Sequence, residues 1–500
     1  MTEDYIALAL NALRQKDFAA ARSAINSFAV DHEMEFQHYM IKGLSELALL
    51  EWEAAENTFS EASILFPHQP QIWQNLGVAQ ENLGDIDEAA ESLEHSLALK
   101  PEQADACGNL SNVYRKLGRF TEAEKMAHRA YELGAPHAQA LNSLGLALNK
   151  QGKYDAAEKT FSEALRLEAN NPQINANLAN CYVDQLKFDS AWPLFAKARS
   201  LSDDAIIRRD EGMARLLTGD YQKGFELYEA RLSVPGALRF KPNCPLYSGG
   251  SFDGKKILLI AEQGYGDTLM FCRYGTYLQE AGAQLTWVVQ KPLQWVLQGN
   301  VPGTIMVEGD ELPPADFYIP LLSLPRVTNK MPPDVSGSPY IVTSATTELP
   351  KEKPGLRKIG LVWSGSPTHE RDHERSIPLQ EFQPLLRMST MQFYAPFIGA
   401  GIEEIKNDTP VLSLAGQIED FADTASLLKQ FECIVTVDTA IAHLAGAMGV
   451  KTFLLLPYCP DWRWGTHNII TPWYKNMTLL RQPRYGEWNS VIQELITRLG

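Results

Sequence analysis

PQIWQNLGVAQENLGDIDEAAESLEHSLALKPEQ, residues 70–103, decides the fold of the first half of this chain, because its small and apolar positions return at a fixed interval. Leu76 is followed in steps of 34 by Leu110, Leu144 and Leu178, and Ala89 by Ala123, Ala157 and Ala191. Around these anchors stand Trp73, Gly77, Leu93 and Pro101 in the quoted unit, then Tyr114 and Ala130, Gly145, Phe161 and Ala164, and Tyr182, Phe195 and Ala198. An earlier unit carries Gly43, Ala55, Phe59, Ala62 and Pro67, and weaker ones lie around Ala21 and from Gly212 to Tyr228. About seven units are expected.

Each unit reads as a helical hairpin too small to bury its own apolar face. Small residues let its two helices approach, and large ones fill the space to the next hairpin. Gly84, Gly118 and Gly152, eight residues after a signature leucine, suit the turn between the helices. The pattern is that of the tetratricopeptide repeat (TPR), and it predicts a solenoid, an α superhelix, over 1–235. The residue before each signature leucine is Asn75, Asn109, Ser143 or Asn177, with Asn112 and Asn180 three residues further on. An amide donates and accepts at once and so matches an extended peptide backbone without reading its side chains. These five asparagines resemble the ladder in the TPR groove of O-GlcNAc transferase, and the resemblance implies a protein or peptide acceptor held there. Asparagine is also common at this position in TPRs generally.

The formal charge is −16, and −13 of it falls before residue 232, where 22 Lys and Arg face 35 Asp and Glu. Such a field disfavours phosphate backbones, so a nucleic-acid partner is not expected. No apolar run approaches the length of a membrane span, and the N-terminus lacks a basic segment ahead of an apolar one, so a cytoplasmic protein is expected. The six cysteines are scattered singly, with no CxxC pair and no histidine at ligand spacing, so neither a disulfide framework nor a metal site is indicated.

After Arg231 the repeat stops, and Pro235, Gly236, Pro242, Pro245, Gly249 and Gly250 mark a loop-rich junction. Short β-rich runs then alternate with helical stretches. KILLIA (256–261), LTWVVQ (285–290) and DFYIPLL (316–322) read as strands of a first lobe, 236–349, with helices over 267–280 and 292–297. Beyond a Lys/Pro-rich linker, 350–354, KIGLVWSG (358–365), QFYAPF (392–397), CIVTVD (433–438) and KTFLLLP (451–457) read as strands of a second lobe, 355–500. This alternation predicts parallel sheets covered by helices, two Rossmann-like lobes in tandem.

Ligands of such sheets bind beyond the carboxyl ends of the strands. Three segments lie there. In VDTAIAHLAGAMG (437–449), Asp438 is a candidate N-cap, and the free N–H groups of Thr439 to Ala442 would suit a pyrophosphate. In EQGYGDTL (262–269), Gly264 and Gly266 permit a sharp turn and a close ligand approach, and Asp267 opens a helix from which its carboxylate could take a proton. In SGSPTHERDHERS (364–376), hydroxyls and two arginines, Arg371 and Arg375, could neutralise a diphosphate. Taken alone, each segment also reads as ordinary structure: a capped helix, an N-cap aspartate, a charged loop.

Together with DFYIPLLSLP and LLLPYCPDWRWG, these motifs resemble glycosyltransferase family nine, the heptosyltransferase group, and more closely bacterial proteins that fuse TPRs to such a domain. The likeness covers about 235–495. It implies a GT-B fold and a metal-independent enzyme that inverts configuration at the anomeric carbon, using a nucleotide sugar as co-substrate and no cofactor. It further implies Asp267 as general base, Ser366 and Arg375 near the diphosphate, and Asp438, Thr439, Ala440 and His443 at the nucleotide. Glu262 is the alternative base, while Trp462, Arg463 and Trp464 are expected to brace the cleft. The compact first lobe and an arginine where a lysine is usual leave the donor sugar open. Two rival readings are a non-catalytic TPR scaffold with a degenerate GT-B half and a transferase acting on a glycan or lipid-glycan. A second copy of the chain is a further expected partner.

Overall fold

The computed structural model describes residues 2–30, 32–234, 236–350 and 353–500. Pro235 of the expected junction and residues 351–352 of the expected linker lie outside them. The chain forms two compact units, Met1–Tyr182 with Asp189–Leu201, and Val183–Phe188 with Ser202–Gly500.

The first unit is a run of antiparallel helical hairpins: α1 (Thr2–Arg14) with α2 (Phe18–Ala29), α3 (Phe36–Ala48) with α4 (Trp52–Leu65), α5 (Pro70–Leu83) with α6 (Ile86–Leu99), α7 (Ala104–Lys116) with α8 (Phe120–Glu132), α9 (His137–Lys150) with α10 (Tyr154–Leu167), and α11 (Pro172–Asp184) with α12 (Phe188–Leu201). The signature residues explain the packing. A side chain at Gly145 would stand 2.6 Å from the Phe161 ring, so the small residue of one helix makes room for the large residue of the other. The anchors Ala89, Ala123, Ala157 and Ala191 are fully buried. Gly84, Gly118 and Gly152 end α5, α7 and α9 with φ of 98°, 74° and 70°, the left-handed conformation that the sequence assigns to these turns.

The second unit opens with one more hairpin, α13 (Ala205–Leu217) and α14 (Tyr221–Tyr228), and a 3-10 turn, Glu229–Ser233. This hairpin shares the α/β core: Leu216, Leu217, Phe225 and Tyr228 belong to it, and Phe225 meets Trp462 edge-on at 5.6 Å. The compact α/β unit therefore starts near Ser202, ahead of the loop-rich junction where the sequence pattern changes. The reason is that a terminal hairpin has an apolar face left to cover, and here the α/β core covers it.

Two all-parallel sheets follow. The first holds β1 (Lys256–Ile260), β2 (Gln284–Val289), β3 (Thr304–Val307) and β4 (Phe317–Pro320) in the order β3-β2-β1-β4, with α15 (Tyr265–Phe271), α16 (Gly275–Glu280), α17 (Gln294–Leu297) and α18 (Leu324–Thr328) between or after them. The second holds β5 (Arg357–Val362), β6 (Met391–Ala395), β7 (Val411–Ser413), β8 (Cys433–Val437), β9 (Thr452–Leu456) and β10 (Met477–Arg481), ordered β10-β9-β8-β5-β6-β7. Its helices are α19 (Asp372–Arg375), α20 (Gln383–Leu386), α21 (Phe421–Leu428), α22 (Ala440–Met448) and α23 (Trp488–Leu499).

The strand order reverses between β1 and β4 in the first sheet and between β5 and β8 in the second, since β5 pairs with both β6 and β8. A crevice at the carboxyl ends is expected at each such switch. The loops after β1, β5 and β8 are the three segments singled out from the sequence. Strands β3, β7 and β10 were not legible there; β3 and β7 are only four and three residues long.

Candidate functional site

The first sheet delivers its turn at Gly264, which precedes α15. Asp267 is the third residue of that helix, not its N-cap as the sequence reading had it, because helical geometry already begins at Tyr265. Its Oδ2 accepts from the Gly264 N–H at 3.0 Å, so the carboxylate closes its own turn. Its Oδ1 accepts from Nη2 of Arg463, a residue 196 positions away on the loop after β9.

The two sheets meet through Gly266. A side chain there would come within 2.6 Å of His443 Cδ2 and 3.5 Å of the Ala440 Cα, so the first turn of α15 lies directly against the first turn of α22. Only a glycine permits this approach. The N-cap of α22 is Thr439, in an extended conformation and without a side-chain cap bond, instead of the expected Asp438. The strand ends at Val437, which leaves Asp438 between strand and helix, partly buried at the carboxyl end of β8. Thr439 Oγ1 lies 3.3 Å from the hydroxyl of Thr436.

Arg463 ties the cluster together. Its Nη1 donates to Asp461 Oδ1 at 2.7 Å, and its backbone N–H donates to the same oxygen at 3.0 Å. The guanidinium lies 4.3 Å from the centre of the Trp462 ring. Burial works against the charge on Arg463, yet Asp267 and Asp461 outweigh it and hold the group firmly protonated. Burial likewise opposes ionisation of Asp461, but the Arg463 charge and hydrogen bonds keep its carboxyl below the ordinary range. Asp438 goes the other way. Burial first, and then the neighbouring Asp461 carboxylate, push it from 3.8 up to about 6, against the pull of Arg375 and Arg463.

This predicts a pH signature. The folded state holds the Asp438 proton more tightly than the unfolded chain, so the group contributes stability that is complete below about pH 4. That contribution is lost as pH rises through about 6. Thermal midpoints of wild type should therefore fall relative to those of Asp438→Asn between these values and run level outside them. Parallel curves across the whole range would contradict the assignment.

The remaining expected residues divide. Arg375 is largely buried beneath the loop after β5, with Nε 3.2 Å from Asp372 Oδ1, and its charge is felt at Asp438. Ser376 accepts from the Gly365 N–H at 2.9 Å and donates to Asp372 at 2.8 Å, which fixes that loop. Ser366 is exposed and bonds Thr368 at 2.8 Å. Arg371 bonds Glu374 and, at 2.9 Å, the Cys459 carbonyl. His443 is 4% exposed, stacks on Trp464 with ring centres 5.0 Å apart, and bonds the Tyr474 hydroxyl through Nδ1 at 2.9 Å. Burial and the Arg463 charge push it down to about 3, so it sits neutral in the packing and brings no charge to a phosphate.

Glu262, the alternative base, is closed off. Both its oxygens pair with Arg231, at 2.8 and 2.9 Å, and Oε1 also accepts from the Leu322 N–H. Three features escaped the sequence reading: the reach of Arg463 to Asp267, the role of Asp461, and Arg273. Arg273 is buried and, among the described residues, bonds no carboxylate: it donates to the Trp473 carbonyl and the Tyr340 hydroxyl at 2.8 Å each, under the Tyr474 ring that also orients His443. An arginine inside the apolar run LMFCRYG was the available signal.

In the solenoid, Asn75, Asn109, Asn112, Asn177 and Asn180 are all half-buried on the first helix of their hairpins. Asn75 donates to the Gln71 carbonyl at 2.9 Å, and Asn177 donates to Asn142 Oδ1 at 2.8 Å, linking α11 to α9. These two amides are thus partly engaged within the solenoid. A cavity of about 620 Å³ opens between Lys256, Gln284 and Leu312, at the amino ends of β1 and β2, on the side of the strands opposite to the Asp267 cluster. Among the described residues no cluster of His, Cys, Asp and Glu fits a metal ion, and no helix is long and apolar enough to cross a membrane.

Comparison with known proteins bears mainly on the first half. The family described as the cilia and flagella-associated protein 70 C-terminal domain, a TPR family, matches residues 13–215. Protein FlbA of Caulobacter vibrioides is 25% identical over 339 residues, covering 60% of this chain and 56% of that protein, so the chain spans little more than half the length of this relative. Sixty per cent of 500 residues is 300, so the match reaches beyond the 235 expected of the solenoid into the α/β part. A TPR protein from Parabacteroides merdae aligns with 47% of this chain and 93% of its own at 16% identity (TM-score 0.42). A second, TTC0263 of Thermus thermophilus, aligns with 36% and 98% at 26% identity (TM-score 0.32). The chain is a TPR protein: a helical solenoid followed by a region built on two parallel sheets.

Proposed function

We propose that the α/β part is a GT-B glycosyltransferase, metal-independent and inverting, that moves a sugar from a nucleotide-sugar donor to a hydroxyl of a protein presented by the TPR groove. The observation that carries this reading is the approach of α15 to α22. It brings a carboxylate from one sheet beside the helix N-terminus and arginines of the other. In a single displacement, the acceptor oxygen bonds to the anomeric carbon on the face opposite the leaving group. The bond from that carbon to the phosphate oxygen breaks with its electron pair, and the hydroxyl proton passes to Asp267. The first N–H groups of α22, with Arg375, meet the charge left on the phosphate. Thr439 and Ala440 border that position, Asp438 lies beside it, and Ser366 stands on the exposed loop facing solvent.

The test offers the full chain a panel of nucleotide sugars and measures nucleotide release with and without a cell lysate depleted of small molecules. Lysate-stimulated release from one donor supports transfer. No release and no binding with any donor would leave the scaffold reading in its place.

A further inference from the structure

The surroundings of Asp267 hold a contradiction for a carboxylate meant to take a proton. Both oxygens of Asp267 are engaged, one by its own turn and one by Arg463. Arg463 in turn is unusual for a bracing residue. It is 8% exposed, spans one carboxylate on α15 and one on its own loop, and among the described residues its buried Nε–H has no hydrogen-bond partner. A buried guanidinium donor left unpaired is costly unless something else comes to fill it. The side chain stands in the same cluster as Asp438, whose ionisation it influences, beyond the carboxyl ends of β8 and β9 and close to the start of the nine-residue helix α22.

We infer that Arg463 is a phosphate-binding residue held in reserve by Asp267, and that a nucleotide phosphate draws it away and so frees the carboxylate to act as base. The inference rests on the transferase reading and adds to it a residue and an order of events. A phosphate offers a guanidinium at least the charge and geometry of a carboxylate, with more acceptor oxygens, so the exchange of partners is chemically matched. Asp461 keeps Nη1 throughout and serves as the pivot. The device ties deprotonation of an acceptor to the presence of a donor: without a nucleotide, the base stays occupied.

Two substitutions separate this from a bracing role. Calorimetric titration of the full chain with ADP, GDP, UDP, dTDP, CMP and inorganic pyrophosphate measures binding without turnover. The set distinguishes a phosphate recognised on a nucleoside from bare phosphate. For whichever nucleotide binds wild type, Arg463→Gln should weaken binding at least about tenfold, and Arg463→Lys by less. Asp267→Asn should tighten it by about threefold or more, because the competing partner is gone. A bracing arginine gives no such gain. Unchanged affinity in a folded Arg463→Gln protein, or unchanged or weaker affinity in Asp267→Asn, would overturn the inference while leaving the transferase reading intact. If Arg463→Gln does not fold, the Asp267→Asn titration alone decides. Failure of wild type to bind any of the panel at millimolar concentration overturns both.

Discussion

Asp267→Asn is expected to lower the rate of sugar transfer by about 10²–10⁴-fold while leaving the protein folded. The amide is nearly isosteric and can still accept the Gly264 N–H through its oxygen, so the turn before α15 survives. What disappears is the group proposed to take the acceptor proton. Loss of the charge also releases Arg463, so nucleotide affinity should not fall with the rate. That split, kcat reduced and donor binding kept, marks a base and not a scaffold. Steady-state transfer and equilibrium binding on the same preparation would show it. An unchanged kcat would remove Asp267 from the chemistry, and Glu262 could not replace it, because Arg231 and the Leu322 amide already hold both of its oxygens.

Breaking that second pair is expected to have the largest effect on stability. Arg231 closes the last helical hairpin and Glu262 follows β1, and their side chains are 4% and 1% exposed. Arg231 also donates to the Ser323 hydroxyl at 2.9 Å and to Glu229 at 2.9 Å, so one guanidinium joins the hairpin, β1 and the turn after β4. Removing one partner strands a charge in the core, at a cost of about 3–5 kcal/mol. Arg231→Met or Glu262→Leu should each lower the unfolding free energy of the second unit by that amount, and its denaturation midpoint with it. Tryptophan fluorescence can follow it, since Trp287, Trp363 and Trp473 are fully buried there. The double replacement should cost less than the sum of the two, because no lone charge remains. Strict additivity would show that the pair does not act as a unit.

Much of this was legible in the sequence, for local reasons. A hairpin repeated every 34 residues must repeat its contacts, so Ala89, Gly145 and Phe161 declared their roles through spacing alone. Strands buried on both faces, such as CIVTV and TFLLL, are continuous apolar runs and stand out likewise. The glycine turn after β1 and the Asp438-Thr439 turn before α22 pointed to a crevice for the same reason: they end strands. What was not legible depends on distant partners. Nothing in PDWRWG says that its arginine reaches Asp267, and nothing near Arg231 says that it pairs with Glu262. The asparagines show the converse. Their spacing is plain, yet Asn177 spends its amide on Asn142 of the neighbouring hairpin, a contact that spacing does not reveal.

The central claim is that a sugar leaves a nucleotide and arrives on a protein. It is tested most directly with the donor found in the panel, labelled in its sugar and incubated with depleted lysate, the label then being followed into acid-precipitated, denatured protein. Wild type should place label covalently on protein in step with nucleotide release, and Asp267→Asn should not. Release of nucleotide with all of the label recovered as free sugar or on non-protein glycan would contradict it.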